Sequence, residues 1–366
     1  MDKIKQLSIP NNSRIIVTSD IHGEIELFKN LLKKVHFTEE DYLIINGDLG
    51  EKGTNSKEVV RYIMELSSNN PRVHVIEGNC DAIVEDLLEE NPLLIKYLCN
   101  RKHSLFNEWL EEIGFNLNED SSIQEVKELL SNHFSKEIKW LSELPTVIET
   151  DHFIFVHAGL DNIENWQDTD RDTAVSIPTF LDKTHQANKY VIVGHWPVGN
   201  YSRDIPDNNP FIDEKKRIVA IDGGNVIKYT GQLNAFIIER SSIGDKFSHT
   251  YVDFLPSRNV LKDFRGDHGM IRAVGYPNYH IVPLEKGEHF TLCKQVETNQ
   301  VLHVKNEYIL QAENGHFTVK ADVSCAQLSI SEGDVVSLVD ESCSGYTLIK
   351  KDGKVGWVAK DCLSRR

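Results

Sequence analysis

Positive charge is in short supply in this chain: 40 lysines and arginines stand against 56 aspartates and glutamates, a formal net charge of −16. That balance repels a phosphate backbone, argues against dedicated nucleic-acid binding, and obliges any phosphate-directed site to carry its own local positive charge. Long apolar runs are missing too. No stretch approaches the ~20 apolar residues of a membrane span, and the opening "MDKIKQLSIPNNSRIIVTSD" lacks the apolar core of a signal peptide. The expectation is a cytoplasmic protein with no membrane contact. Cysteine is sparse: the thiols at positions 80, 99, 293, 325, 343 and 362 lack paired metal-ligand spacing. They are too few in so long a chain for a disulfide framework, so reduced thiols are expected. Low-complexity tracts and a convincing internal repeat are absent as well.

What is present is an alternation. The 366 residues exceed one comfortable core. From Arg14 to about Asn200 the short β-branched runs "RIIVTS", "YLIIN", "RVHVIE", "HFIFVH" and "YVIVGH" are separated by segments of helical period. One such segment, "EIELFKNLLKKV", puts Ile25, Phe28, Leu31, Leu32 and Val35 on one face; "SKEVVRYIMELS" is another. The pattern predicts an α/β domain over 1–245 with a helical insert at about 82–144, ending in the polar, glycine-containing "RSSIGDK". Residues 246–318 are an unassigned β-rich segment, and 319–366 form a further small domain.

Each of the five apolar runs is followed at once by a residue able to bind a metal: Asp20 and His22, Asp48, Asn79, His157, and His195, each with a glycine close by. Ligands of α/β sheets gather at the carboxyl ends of strands, so these side chains can converge. Three histidines, two aspartates and one asparagine make a nitrogen and oxygen set that favours manganese, with iron, zinc or cobalt as alternatives, over calcium. Six ligands are too many for one open catalytic ion. Two divalent ions ~3.5–4 Å apart, sharing one carboxylate and a bridging hydroxide, use them all.

Asp20-x-His22-Gly23, "GDLGEKG" (47–53), "GNCD" (78–81), "HAGL" (157–160), "GHWP" (194–197) and "IDGG" (221–224) together resemble the calcineurin-like metallophosphoesterases. Their order and spacing are most similar to the bacterial branch of the phosphoprotein (serine/threonine) phosphatases, over roughly Arg14 to Ile238. The resemblance implies two mixed β-sheets packed face to face with helices outside. It assigns Asp20 and His22 to the first metal, Asp48 to the bridge, and Asn79, His157 and His195 to the second, with Asp48, Asn79 and His157 as catalytic residues. The implied activity is two-metal hydrolysis of a phosphorylated protein or small phosphoester by in-line attack of the bridging hydroxide. A phosphodiesterase or dinucleoside polyphosphate hydrolase is the alternative, and a non-catalytic docking protein on the same fold a third.

The pattern departs from that family in three places. The second motif ends Glu51-Lys52-Gly53 where the family has Asp-Arg-Gly; Lys52 keeps the charge of a phosphate clamp and loses the bidentate fork, and is, with Asn79, the candidate phosphate contact. A second family arginine, after "HAG", is missing; Arg171 is near but offset. Cys80 stands where the phosphatases carry a histidine that protonates the leaving alkoxide, which leaves Glu51 without its imidazole. A thiol is a poor general acid for a serine alkoxide, so the cysteine tilts the substrate toward diesters or other good leaving groups.

The last stretch, Lys320 to Leu363, resembles a Src-homology-3 domain: alternating "VVSLVD" and "YTLIKK", a turn at Lys351–Lys354, then "GWV". A small all-β barrel making protein contacts is implied. Of the groove aromatics only Tyr346 and Trp357 have counterparts, so a packing or targeting role is expected ahead of proline-rich peptide binding.

Overall fold

A computed structural model describes residues 3–201, 204–313 and 315–364. The chain forms two units. The first comprises Met1–Pro197, Pro210–Ile227 and Leu233–Asp253, the second Val198–Asn209, Lys228–Gln232 and Phe254–Arg366.

The first unit begins with β1 (Ile4–Gln6), β2 (Arg14–Thr18), α1 (Ile25–Lys34), β3 (Tyr42–Asn46), α2 (Ser56–Asn69) and β4 (Val73–Ile76). Five helices follow without a strand: α3 (Ile83–Leu88), α4 (Leu93–Cys99), α5 (Leu105–Glu112), α6 (Ile123–His133) and α7 (Ser135–Ser142). Then come β5 (Val147–Glu149), β6 (Phe153–Val156), α8 (Arg171–Ser176), β7 (Tyr190–Val193), β8 (Phe211–Asp213), β9 (Ile218–Ala220), β10 (Leu233–Glu239) and β11 (Lys246–Val252). They build a six-stranded sheet ordered β1-β5-β6-β7-β9-β8 and a five-stranded sheet ordered β11-β10-β2-β3-β4. Both are mixed: β2, β3 and β4 run parallel while β10 pairs antiparallel with β2, and β6, β7 and β9 run parallel while β8 opposes β9.

Strand periodicity explains the layering. In β2, Ile15 and Val17 join a core with Phe155, Ile192 and Val219 of the other sheet, whereas Ile16 faces the core built by the helices. β3 repeats the division, with Ile44 toward the partner sheet and Leu43 and Ile45 toward the helices. Runs buried on both faces read as continuous hydrophobics, which is why these strands show no polar alternation. The helical stripe of α1 behaves as its period requires: Ile25, Phe28, Leu31, Leu32 and Val35 are all buried.

Arg171, at the start of α8, is taken up structurally. Its Nε and Nη2 donate to Glu77 Oε1 and Oε2 at 2.8 and 2.6 Å, and its Nη1 to Glu85 Oε2 of α3 at 2.6 Å. Glu77 is buried, so Arg171→Ala strands a carboxylate and is expected to cost about 3 kcal/mol. Thermal denaturation should show the loss while KM for any phosphoester stays unchanged; a raised KM at unchanged stability would return Arg171 to the substrate.

The first unit runs past the boundary expected near 245. β11 pairs along its whole length with β10, from Leu233↔Val252 to Glu239↔Lys246, because the polar "RSSIGDK" makes a hairpin turn and not a linker. The second unit is all β. Its strands are β12 (Ser257–Asn259), β13 (Ala273–Val274), β14 (His280–Lys286), β15 (Phe290–Gln295), β16 (Val301–Lys305), β17 (Ile309–Gln311), β18 (Phe317–Val319), β19 (Val323–Ser324), β20 (Val335–Asp340), β21 (Tyr346–Lys351) and β22 (Lys354–Ala359). Residues 246–318 and 319–366 are therefore not separate bodies: β12 pairs with β20, and Ile281, Cys293 and Val304 share a core with Leu348, Val355 and Trp357.

An internal repeat, not evident in the sequence, is present in this unit. β14, β15, β16, a 3₁₀ turn at Asn306–Tyr308 and β17 follow one another as do β20, β21, β22, a 3₁₀ turn at Lys360–Cys362 and Leu363. A further strand bridges the first and last members each time: β18 pairs with β14 and β17, while β12 pairs with β20 and its neighbour Val260 pairs with Leu363. The bridging strand follows the first repeat in sequence but precedes the second by many residues, which hides the period. Among the described residues both sheets are open.

Candidate metal centre

The site is assembled from strand ends. β2 delivers Asp20 and His22, β3 Asp48, β4 Asn79, β6 His157, β7 His195, and β9 runs into Asp222. Several of these residues are left-handed, with φ of 56° at Asp20, 48° at His22, 54° at Asp48 and 64° at His195. Such conformations cost of order 1–3 kcal/mol each and persist where the surroundings over-determine them. Two glycines let the backbone close on the carboxylates: a Cβ on Gly78 would lie 2.2 Å from Asp48 Oδ1, and one on Gly194 2.4 Å from Asp20 Oδ2.

All six expected ligands converge. His22 Nδ1 faces the Gly50 carbonyl at 3.2 Å, which turns Nε2 toward Asp20 Oδ1 at 3.8 Å and Asp48 Oδ2 at 3.7 Å. His157 Nδ1 faces the Asn46 carbonyl at 2.8 Å, leaving Nε2 3.4 Å from Asp48 Oδ1 and 3.2 Å from Asn79 Oδ1. His195 Nδ1 lies 2.8 Å from the same Asn79 oxygen. Asp48 thus offers Oδ2 to one cluster and Oδ1 to the other. Carbonyl acceptors behind His22 and His157 fix the ring orientation that a metal ligand needs.

Charge states agree with a metal. Burial, aided by the Lys52 charge, lowers His22, and burial with His157 pushes His195 down to about 4, so both rings are neutral near pH 7. Burial opposes the charge on Asp48, but His157, His22 and Lys52 outweigh it and hold the carboxyl well below its usual range. Burial likewise lowers His157, and the Asp48 and Asp20 carboxylates reverse that to a net rise. His22 and His195 are thus neutral imidazoles, the rise at His157 reports the carboxylates a cation would neutralise, and two facing clusters of nitrogen and oxygen donors fit a pair of divalent cations.

Lys52 lies inside this cluster, its Nζ 3.2 Å from His22 Nε2 and 3.9 Å from Asp48 Oδ2. It sets a positive charge among the ligand residues of a chain whose net charge is −16. Cys80 is also inside. Its thiol sulfur, a His22 nitrogen and an Asp48 oxygen lie within 4.8 Å of one another, and its backbone N–H donates to Asp48 Oδ1 at 2.9 Å. The sequence pattern gives a ligand set without sulfur, whereas here one thiol lies within reach of it, brought there by the turn after β4. Burial and the Asp48 charge push that thiol well above its ordinary value.

Glu51 is not left without a partner. Its Oε2 accepts from the Tyr97 hydroxyl at 2.9 Å, and its Oε1 from the Ser104 hydroxyl and the Leu105 N–H, each at 2.8 Å. The helical insert has taken the imidazole's place. Two further carboxylates carry the site. Asp81 accepts from the N–H groups of Asp48, Leu49 and Gly78 at 2.8, 3.0 and 2.8 Å, clamping the ends of β3 and β4 together. Burial and the Asp48 charge raise it to about 7. Asp222 accepts from Gly224 N–H at 2.7 Å and is raised by burial and by Asp20. Both stand in quoted motifs, yet only the folded backbone shows what they bind.

With this geometry in view, residues 13–223 match the calcineurin-like phosphoesterase family, and the chain belongs to it. Part of the chain is 47% identical over 64 residues to a symmetrical bis(5'-nucleosyl)-tetraphosphatase of Buchnera aphidicola, 17% of this chain and 22% of that protein. A longer stretch of 192 residues is 24% identical to the enzyme of the same name in Vibrio parahaemolyticus, 52% of this chain and 58% of its relative. The chain thus spans about a fifth of one curated relative and under two thirds of the other. Among solved structures, a protein serine/threonine phosphatase from Saccharomyces cerevisiae aligns at 12% identity with a TM-score of 0.44, over 69% of this chain and 85% of its own.

Proposed function

We propose that the first unit hydrolyses phosphoric anhydrides and esters with good leaving groups, with dinucleoside polyphosphates as the substrate class. Asp20 and His22 with Asp48 hold one divalent ion; Asp48, Asn79, His157 and His195 hold the second, manganese being the first choice. When bound, the two ions supply an activated water and neutralise phosphoryl charge. The protein's own part is orientation. Asp81 fixes the Asp48 loop, Lys52 meets a non-bridging phosphoryl oxygen, and Asn79 Oδ1 is shared between His157 and His195.

The observation that carries the substrate choice is the state of Glu51 and Cys80. Both oxygens of Glu51 are engaged by the insert, and the neighbouring thiol is buried and pushed up, so neither serves as an oriented acid for a serine alkoxide. A nucleoside diphosphate departs without that help. The segment identity to the tetraphosphatases supports the same reading. The serine/threonine phosphatase reading keeps the support of its motif spacing alone.

The test is a substrate panel on manganese-loaded protein: a symmetrical dinucleoside tetraphosphate, a bis(aryl) phosphate, an alkyl monoester and a phosphoserine peptide. The tetraphosphate is expected to lead in kcat/KM and the peptide to trail. Cys80→His is expected to restore far less than the ~10²-fold of an oriented acid, because Glu51 is already occupied. Efficient phosphoserine turnover by the wild type would overturn the assignment.

For the second unit we assign a packing or targeting role on a Src-homology-3-like pattern. Trp357 is fully buried, with its indole N–H donating to the Ser324 carbonyl at 2.7 Å, which weighs against an aromatic peptide groove.

A further inference from the structure

We propose that Arg101 is a substrate-binding residue for a phosphate group beyond the one under attack, so that the site selects substrates with at least two linked phosphates. The inference rests on the hydrolase reading above and deepens it. Cations near the metal ligands are few. Lys52 is among the ligands themselves, and Arg171 is committed to Glu77 and Glu85. Arg101, in the turn between α4 and α5, is exposed and forms no ion pair among the described residues. It opens a short basic run, Arg101-Lys102-His103, in a strongly acidic chain.

Arg101 is held toward the site by contacts. Its guanidinium carbon lies 4.8 Å from the Tyr97 ring centroid, a cation–π contact that ties the side chain to α4. Tyr97 donates to Glu51 Oε2 at 2.9 Å, and the residue after Glu51 is Lys52, whose Nζ is 3.2 Å from the metal ligand His22. Glu51, raised by burial, feels the Arg101 charge in the opposite sense. The Glu51-Lys52 pair thus looks two ways, Lys52 to the first metal cluster and Glu51 through Tyr97 to an exposed guanidinium.

The order of these contacts decides which phosphate Arg101 meets. The reacting phosphoryl group lies against the ligand cluster and Lys52. Arg101 stands beyond the Glu51–Tyr97 pair, one contact further out than Lys52. A planar fork binds two oxygens of a phosphate at once. A single-phosphate substrate has nothing to place there.

Calorimetric titration of the manganese-loaded full chain with pyrophosphate in its non-hydrolysable imidodiphosphate form and with orthophosphate, at matched free metal, tests this directly. Arg101→Ala is expected to weaken pyrophosphate about 10- to 100-fold and orthophosphate by less than about threefold, with Arg101→Lys between. Thermal stability should not change, since the side chain is exposed. On a dinucleoside tetraphosphate the loss should fall on KM and spare kcat. Equal loss for both anions, or none, overturns the proposal. If no anhydride is hydrolysed yet pyrophosphate binding still depends on Arg101, the function reading fails and this one stands. If anhydrides are hydrolysed and R101A binds pyrophosphate normally, this one fails alone.

Discussion

Asp48→Asn is expected to cut turnover on the order of 10³-fold or more, the scale of losing a preorganised electrostatic partner of the transition state. The reason is geometric. Oδ2 of Asp48 faces His22 and Oδ1 faces His157, so one carboxylate serves both clusters. An amide keeps the shape and removes the negative charge that would hold two cations close together. Elemental analysis of the purified variant should therefore find less metal per chain than the wild type. A variant with full metal content and full activity would remove Asp48 from the bridge.

Metal removal is expected to have an effect as large. Incubation with a chelator should abolish hydrolysis, and manganese should restore it better than calcium, because imidazole and carboxylate together suit the transition ions. Stability should fall as well. A ligand at 100 times its dissociation constant contributes about 2.7 kcal/mol to the folded state, so the melting temperature should rise with added manganese. Undiminished activity in chelator would refute the two-metal reading outright.

Much of this centre is legible in the sequence because its ligands follow strands at once. An apolar run ending in glycine and a metal-binding residue carries both the local fold and the chemistry, and Asp20, His22, Asp48, Asn79, His157 and His195 converge from such runs. The residues that support them carry no such signal. Asp81 acts on backbone N–H groups 32 and 33 positions away, and Glu51 is held by Tyr97 from 46 positions further on. Which donors a buried carboxylate meets depends on how strand ends and insert come together, and spacing does not report that. The same limit applies to Arg171, which lies near "HAG" in sequence but offset from the family's position, and whose partners, Glu77 and Glu85, spacing does not reveal. In the second unit the pairing of Ser257 with Ser337 crosses too much sequence for any hairpin signal, so the two repeats stay hidden.

The division of the chain into units that are not contiguous in sequence has a consequence for biosynthesis. Val198–Asn209 and Lys228–Gln232 belong to the second unit although they are made before the first unit's last strands. The Thr230 carbonyl, which accepts from Asn208 Nδ2 at 2.8 Å, gains its second donor only with Lys350, 120 residues later, at 2.9 Å. At ~5–20 residues per second that interval is on the order of 10 s, during which the nascent chain carries two loops of the second unit ahead of the strands they join. A message cut short after Asp253 leaves those loops permanently without their neighbours. Selection on the hydrolase then also acts on the distal β region, and a recombination break between them yields a product for the quality-control proteases.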